Sequence, residues 1–340
     1  MAFHYPGLGP PNYGRMPELY PVIADVLARS NVKTGEKIII YTDTAKHKDI
    51  VDAFFAAAVA LGAEVTVVLN TLRNDPDRRP MSLSVEAMKH AQTVIDLASV
   101  AWIYTQPFSE ILNGGTRILT SLGDVDTILK MRPNEDVARR ARAGARIIQG
   151  GKEIVVRSGT GSHLTVRKDG RKGVCQEGLI EGPGSWDNLP AGQCACAPLE
   201  DKADGRLIVS SGDIILPLKR VVSEPIELTL EGGRIVRIEG GGEAALLRNW
   251  FEKWRDPNSY VIAHIGFGCD HRAELGSGQL MEWESFYGNV MIAFGNNSGV
   301  FLGGKTVAKS HIDIVFLNSD FAVDGQEILR AGAFVHPELA

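Results

Sequence analysis

The residues best suited to chemistry lie late in the chain. In Ser310-His311-Ile312-Asp313-Ile314-Val315-Phe316 an imidazole and a carboxylate stand two positions apart. A β-strand sends alternate side chains to opposite faces, so His311 and Asp313 share one face while Ile312 and Ile314 take the other. That turns a His-x-Asp triplet into two convergent ligands. The competing assignment is an aspartate that orients a core histidine through a hydrogen bond. A further histidine, His264, ends a strand-like run beside glycines in Ala263-His264-Ile265-Gly266-Phe267-Gly268-Cys269. Two imidazoles and one carboxylate make a facial triad, which leaves open coordination positions and suits ferrous iron in oxygenases. The run 288–304 holds Gly288, Gly295-Asn296-Asn297-Ser298-Gly299 and Gly303-Gly304. Such small residues permit a close backbone approach around a tight pocket, or form a plain series of turns.

These groups need a scaffold. The first 150 residues alternate helical and strand signals: Met16 to Arg29 is helical by its apolar spacing, Lys37 to Tyr41 is a short β-rich run, and Ile50 to Leu61 is an alanine-rich helix. Glu64 to Leu69, Thr93 to Leu97, Val100 to Tyr104 and Thr116 to Thr120 read as further strands. Ser84 to His90, Phe108 to Gly114 and Asn134 to Gln149 read as helices. This order predicts an open parallel α/β sheet covered by helices over residues 1–150. After Gly150-Gly151 the texture changes to short β-prone runs separated by glycines, with one helix over Glu243 to Lys253. The expectation is a fold of α/β plus α+β type, with a mixed, mainly antiparallel metal-binding domain over 151–340. A dinucleotide site is not supported. Gly7, Gly9 and Gly14 precede the first regular strand, and Tyr41 runs into Thr42-Asp43-Thr44 without a glycine-rich loop.

Composition narrows the class. The 340 residues are 44% hydrophobic and 23% charged, with a formal charge of -5, which describes a globular protein and not a polyanion binder. The densest basic run, Arg167-Lys168-Asp169-Gly170-Arg171-Lys172, reads as a solvent-facing turn without stacking aromatics, so no nucleic-acid partner is expected. Arginines 139, 140, 142 and 146 read as a wetted helix face or an inter-domain surface. The start of the chain lacks a signal-peptide pattern, and the apolar stretch Ala53 to Leu61 is too short to span a bilayer. Four cysteines, at 175, 194, 196 and 269, make no disulfide framework and read as buried thiols. A cytoplasmic location without membrane association is the resulting expectation.

Several motifs are familiar as a set. Asn188-Leu189-Pro190-Ala191-Gly192-Gln193, His264-Ile265-Gly266-Phe267-Gly268, Gly288-Asn289-Val290-Met291-Ile292-Ala293-Phe294-Gly295 and Ser310-His311-Ile312-Asp313 resemble the motifs of the thermophilic metallo-aminopeptidase (aminopeptidase T) family. Those peptidases use two metals. Here Gln193 and His264 stand at two glutamate positions, Met291 at a histidine and Ser298 at a tyrosine, so the resemblance implies that the two-metal site is lost. The histidine at 264 resembles a divergent branch, the 2,5-dihydroxypyridine 5,6-dioxygenase family of nicotinate catabolism. Trp186-Asp187-x-x-Pro190-x-Gly192 and Gly115-Thr116-Arg117-Ile118-Leu119 are similar to that branch too. The resemblance implies one ferrous ion held by His264, His311 and Asp313, O₂ as co-substrate, a homo-oligomer, and a small hydroxypyridine or related aromatic substrate. It also implies extradiol-type ring cleavage, with 2,5-dihydroxypyridine giving N-formylmaleamate. Metal-dependent hydrolysis and a noncatalytic binding role are the alternatives.

One departure bears on the acid/base group. The branch carries a histidine before its Gly-Thr-Arg segment, whereas this chain has Trp102-Ile103-Tyr104-Thr105-Gln106-Pro107 there. Tyr104 or Thr105 is a candidate to hydrogen-bond the substrate, or the segment ends a core strand. His163 is a candidate for substrate binding or acid/base work, since histidine exchanges protons near neutral pH; otherwise it is a surface turn residue. His271 and Glu274 are candidates to orient the ligands. Glu282 and Glu284 share a face if extended, and Ser285 adds a hydroxyl beside them; all three also suit a solvent-facing surface.

Overall fold

In a computed structural model that describes residues 14–72, 79–299 and 301–340, the chain forms three sheets. The positions of Gly7 and Gly9 lie outside the described residues. The helix Met16–Arg29 buries Leu19, Val22, Ile23, Val26 and Leu27, the three- and four-residue spacing of one apolar stripe. It packs with the helix Lys48–Ala60, which buries Ile50, Ala53, Phe54, Ala57 and Ala58, over one face of a parallel sheet. That sheet has the order Glu64–Asn70, Lys37–Asp43, Thr93–Asp96, Arg117–Thr120 and Trp186–Asn188, with every pairing parallel. Its central strands are apolar on both faces, as burial under helices on both sides requires.

The fifth strand comes from beyond residue 150. After the long helix Glu135–Gly150 the chain enters the antiparallel region and then returns, pairing Trp186 with Ile118 and Asn188 with Thr120. The two antiparallel sheets, of eight and seven strands, pack face to face. Ile154, Leu164 and Phe321 of one meet Phe267, Ile292 and Ile314 of the other in a shared core.

Two local expectations change. Val100 to Tyr104 forms no strand; it is an irregular connection in which Tyr104 adopts φ 66°, a left-handed conformation that a bulky side chain reaches only when its surroundings enforce it. Nor is the basic run 167–172 wholly solvent-facing. Lys168 is fully buried, and its Nζ donates to the carbonyls of Ile148 and Gly151, each at 2.7 Å, closing the C-terminal end of the helix Glu135–Gly150. Arg171 pairs with Glu200 at 2.6 Å.

Candidate metal centre

The metal-ligand candidates come together through sheet register. His264 lies on the strand Ile262–Gly268, His311 and Asp313 on His311–Phe316, and Val290–Gly295 runs between them. A register shift at Ile262/His264 sets His264 opposite Ala293, which in turn lies opposite Asp313. Strand alternation sends Ile265, Phe267, Ile292, Phe294, Ile312 and Ile314 into the shared core, leaving His264, Ala293, His311 and Asp313 on the other face. Ala293 is the small residue over which the flanking ligands lean toward each other.

Three atoms converge there. His264 Nε2 stands 2.9 Å from Asp313 Oδ1, His311 Nε2 stands 3.4 Å from the same oxygen, and the two Nε2 atoms are 3.2 Å apart. Donor atoms about 2.1 Å from one ion, at angles between octahedral and tetrahedral, stand about 3.0–3.4 Å apart, so the triangle fits a single metal ion. His311 Nδ1 donates to the Asn296 carbonyl at 2.7 Å, which leaves Nε2 with its lone pair free for a cation. Among the described residues this is the one cluster of three or more histidine, cysteine, aspartate or glutamate ligands. Burial lowers the pKa of His264 despite its carboxylate partner, favouring the neutral ring. Burial pushes Asp313 upward, yet the two imidazoles outweigh it and hold the carboxyl well below its usual range.

The run 288–304 braces this cluster. Asn296 Nδ2 donates to the Tyr104 carbonyl at 2.6 Å while its own carbonyl holds His311. Asn297 Nδ2 donates to the Ala263 carbonyl at 3.0 Å, next to the register shift that aims His264. Gly295 needs its φ of 106°, and a Cβ there would stand 2.1 Å from the Ser310 carbonyl oxygen.

A cavity of about 330 Å³ opens over the cluster. Its other wall is built from Ser99–Ala101, Ile103, Tyr104, Leu122 and Asn188, which follow or end strands of the parallel sheet at its carboxyl edge. Open α/β sheets bind ligands at that edge. Tyr104 stacks on His311 with ring centroids 4.3 Å apart. Burial and the carboxylates of Asp313 and Glu284 raise its phenol well above the ordinary value.

The remaining candidates divide. Glu284 lines the cavity, where burial and the Asp313 charge push its carboxyl up to about 8. It does not share a face with Glu282, because Leu280–Ser285 is a short helix and not a strand. Glu282 turns away to Lys130 at 2.7 Å, and Ser285 is buried with its hydroxyl unpartnered. His163 is exposed on the strand His163–Arg167, in the eight-stranded sheet and away from the cavity lining. His271 is likewise exposed, near Arg140, and Glu274 pairs with Lys130. Thr105 is absent from this lining. Arg117 of the Gly-Thr-Arg segment is structural: buried at the amino end of its strand, it pairs with Glu36 at 2.5 Å. Gln176 also lines the cavity, with no motif in the sequence to mark it.

A cluster of two histidines and one aspartate, facing the carboxyl edge of an α/β sheet across a cavity of substrate size, suits the active site of a metal-dependent enzyme. Residues 18–336 match the family of 2,5-dihydroxypyridine 5,6-dioxygenases, and the chain belongs to it. It is 31% identical to the 2,5-dihydroxypyridine 5,6-dioxygenase of Pseudomonas putida, over 94% of this chain and 97% of that protein. The solved structure of 2,5-dihydroxypyridine dioxygenase from Pseudomonas putida superposes with a TM-score of 0.86 at 29% identity, covering 96% of this chain and 99% of that one. AmpT from Thermus thermophilus shares the fold, with a TM-score of 0.63 at 15% identity over 95% of this chain and all of that one. No helix among the described residues is long and apolar enough to cross a membrane.

Proposed function

We propose that the chain is a ring-cleaving dioxygenase that uses one Fe(II) at His264, His311 and Asp313 and O₂ to open 2,5-dihydroxypyridine to N-formylmaleamate. The observation that carries this reading is the convergence of the three ligand atoms under the cavity, in a chain of this family. The bound metal would supply open positions that bring the electron-rich ring and O₂ together and let electrons pass between them. The protein's residues do the rest. The neutral imidazoles and anionic Asp313 leave the ion a net positive charge, which favours an ionised substrate hydroxyl. Tyr104 forms a flat wall against which a ring can lie, and its phenol stays protonated and able to donate a hydrogen bond. Glu284, on the cavity wall, is placed to exchange a proton with a ring hydroxyl in this chain, which lacks the family's N-terminal histidine. Both atoms of O₂ enter the product, so the reaction needs no external reductant.

A cytoplasmic, homo-oligomeric enzyme, with an N-terminal α/β domain over 1–150 and a catalytic domain over 151–340, completes the proposal. Anaerobic reconstitution with Fe(II), followed by oxygen uptake against 2,5-dihydroxypyridine, catechol and hydroquinone, tests the activity. With ¹⁸O₂, two labels are expected in the ring-opened product. No oxygen consumption across the panel would overturn the reading.

A further inference from the structure

Two glutamines face each other across a pair of antiparallel strands at the cavity wall. Gln176 ends the strand Val174–Gln176, Gln193 begins Gln193–Cys196, and the register sets one directly opposite the other. Both line the cavity and both are more than nine-tenths buried. Gln193 Nε2 donates to Gln176 Oε1 at 2.6 Å and reaches Glu284 Oε2 at 3.4 Å. Gln193 Oε1 and Gln176 Nε2 have no partner. Buried polar atoms are nearly always satisfied, so two orphans on adjacent side chains beside a cavity require an explanation. Oxygen and nitrogen of an amide are assigned from the hydrogen-bond network, but the conclusion survives either assignment. If both amides are turned over, the bond between them reverses, and one N–H group and one carbonyl oxygen still remain unpaired. Asn188 Oδ1, also on the cavity wall, adds a second unpartnered acceptor, so the wall calls for a ligand that brings its own N–H.

We infer that Gln176 and Gln193 read the lactam edge of the substrate, the Gln193 carbonyl accepting the ring N–H while the Gln176 amide donates to the adjacent ring carbonyl. This rests on the dioxygenase reading and goes further, because it selects the tautomer and the ring type. In water a 2-hydroxypyridine is held mainly as the 2-pyridone, which presents N–H and C=O side by side. A carbocyclic diol presents no such pair. The terminal torsion of glutamine is soft, so both amides can turn toward a bound ring at little cost. A site built to pair polar edges rejects an analogue lacking them, because its own buried groups are then left unmet.

The test is anaerobic binding, by calorimetry on the full-length metal-loaded protein, of 2,5-dihydroxypyridine, its N-methyl lactam and hydroquinone. Wild type is expected to bind the N-methyl lactam about 10- to 100-fold more weakly than the parent. Gln193→Met and Gln176→Met should each weaken the parent by about tenfold, change hydroquinone binding less than twofold, and bring the parent-to-methyl ratio toward one. A purely steric effect of the methyl group would leave that ratio unchanged in the variants. Equal binding of parent and N-methyl lactam by wild type, or a persistent ratio in folded variants, overturns the inference. The ligand-side comparison needs no variant, so a failure of either variant to fold does not obscure the result. Discrimination without oxygen uptake would sink the dioxygenase reading and leave the lactam reading standing; uptake without discrimination would do the reverse.

Discussion

Asp187 offers a test of how the cavity wall is held. Its carboxylate is buried on the last parallel strand and accepts four backbone N–H groups. Oδ2 takes those of Glu177 and Gly178 at 2.9 Å and Leu179 at 3.2 Å, and Oδ1 takes that of Asn188 at 2.7 Å. Three of these lie immediately after Gln176, so Asp187 fixes the turn that carries a cavity residue. Replacing it by alanine strips the acceptor from all four. A net loss of about 1 kcal/mol per bond gives about 4 kcal/mol in total, with water reaching part of this half-buried turn. The substitution Asp187→Asn is milder: its carbonyl oxygen can face the three donors, and only the bond to Asn188 is lost, about 1–2 kcal/mol. At roughly 2 °C per kcal/mol for a chain of this size, thermal melts should fall by about 8 °C for Asp187→Ala and 2–4 °C for Asp187→Asn. KM should rise in both, more in the alanine variant. Equal destabilisation by the two variants, or an alanine variant melting within about 1 °C of wild type, would refute the reasoning.

Asp313→Asn keeps the shape of the cluster but removes its one anionic ligand; metal retained after desalting, measured by elemental analysis, should drop at least tenfold while the melting curve of the metal-free protein stays cooperative. For Tyr104→Phe, which keeps the stack on His311 and removes the phenol, we expect a loss of about tenfold in kcat/KM with metal content unchanged. Because His163 is exposed and outside the cavity lining, steady-state turnover of His163→Ala should lie within twofold of wild type. Burial of the Lys168 ammonium lowers its pKa below the free-lysine value, so the folded state binds this proton less tightly than the unfolded chain. Its effect on stability should therefore be unfavourable at neutral pH and relieved as pH rises toward the free-lysine value. Urea titrations of wild type and Lys168→Met at pH 7 and pH 10 would show this as a change in their difference.

Much of the fold was readable because its signals are local. The stripe of Leu19, Val22, Ile23, Val26 and Leu27 and the apolar runs of the parallel strands need no tertiary partner to be recognised. His311 and Asp313 were legible for the same reason, since alternation within one strand places them together. His264 joins them through pairing with Ala293 across a register shift, which depends on contacts 29 residues away in the chain. The resemblance to a known family supplied that step. Gln176 was not legible as a site residue, and Glu284 could not be told from Glu282, because a strand end and a short helix reach the cavity only through the arrangement of three sheets. Val100 to Tyr104 was misread because its residue types suit a strand, while a hydrogen bond from distant Asn296 holds its last residue in a left-handed turn. Lys168 misled for the opposite reason: a charged residue in a polar run is ordinarily wet, and here the carbonyls at a helix end replace water.

The return of Trp186–Asn188 to the parallel sheet has a consequence for how such proteins can be recombined. A chimera joined at 150/151 would inherit four strands of that sheet from one parent and the fifth from the other, so Ile118 and Thr120 would have to accept a foreign neighbour. The same splice would split Tyr104 and Leu122 from Asn188, Glu284 and the three ligands, mixing the substrate preferences of both parents in one cavity. A fragment ending at 150 would leave the Arg117–Thr120 edge bare, an invitation to intermolecular pairing. Exchange at that boundary thus carries a penalty in the sheet and in the cavity at once.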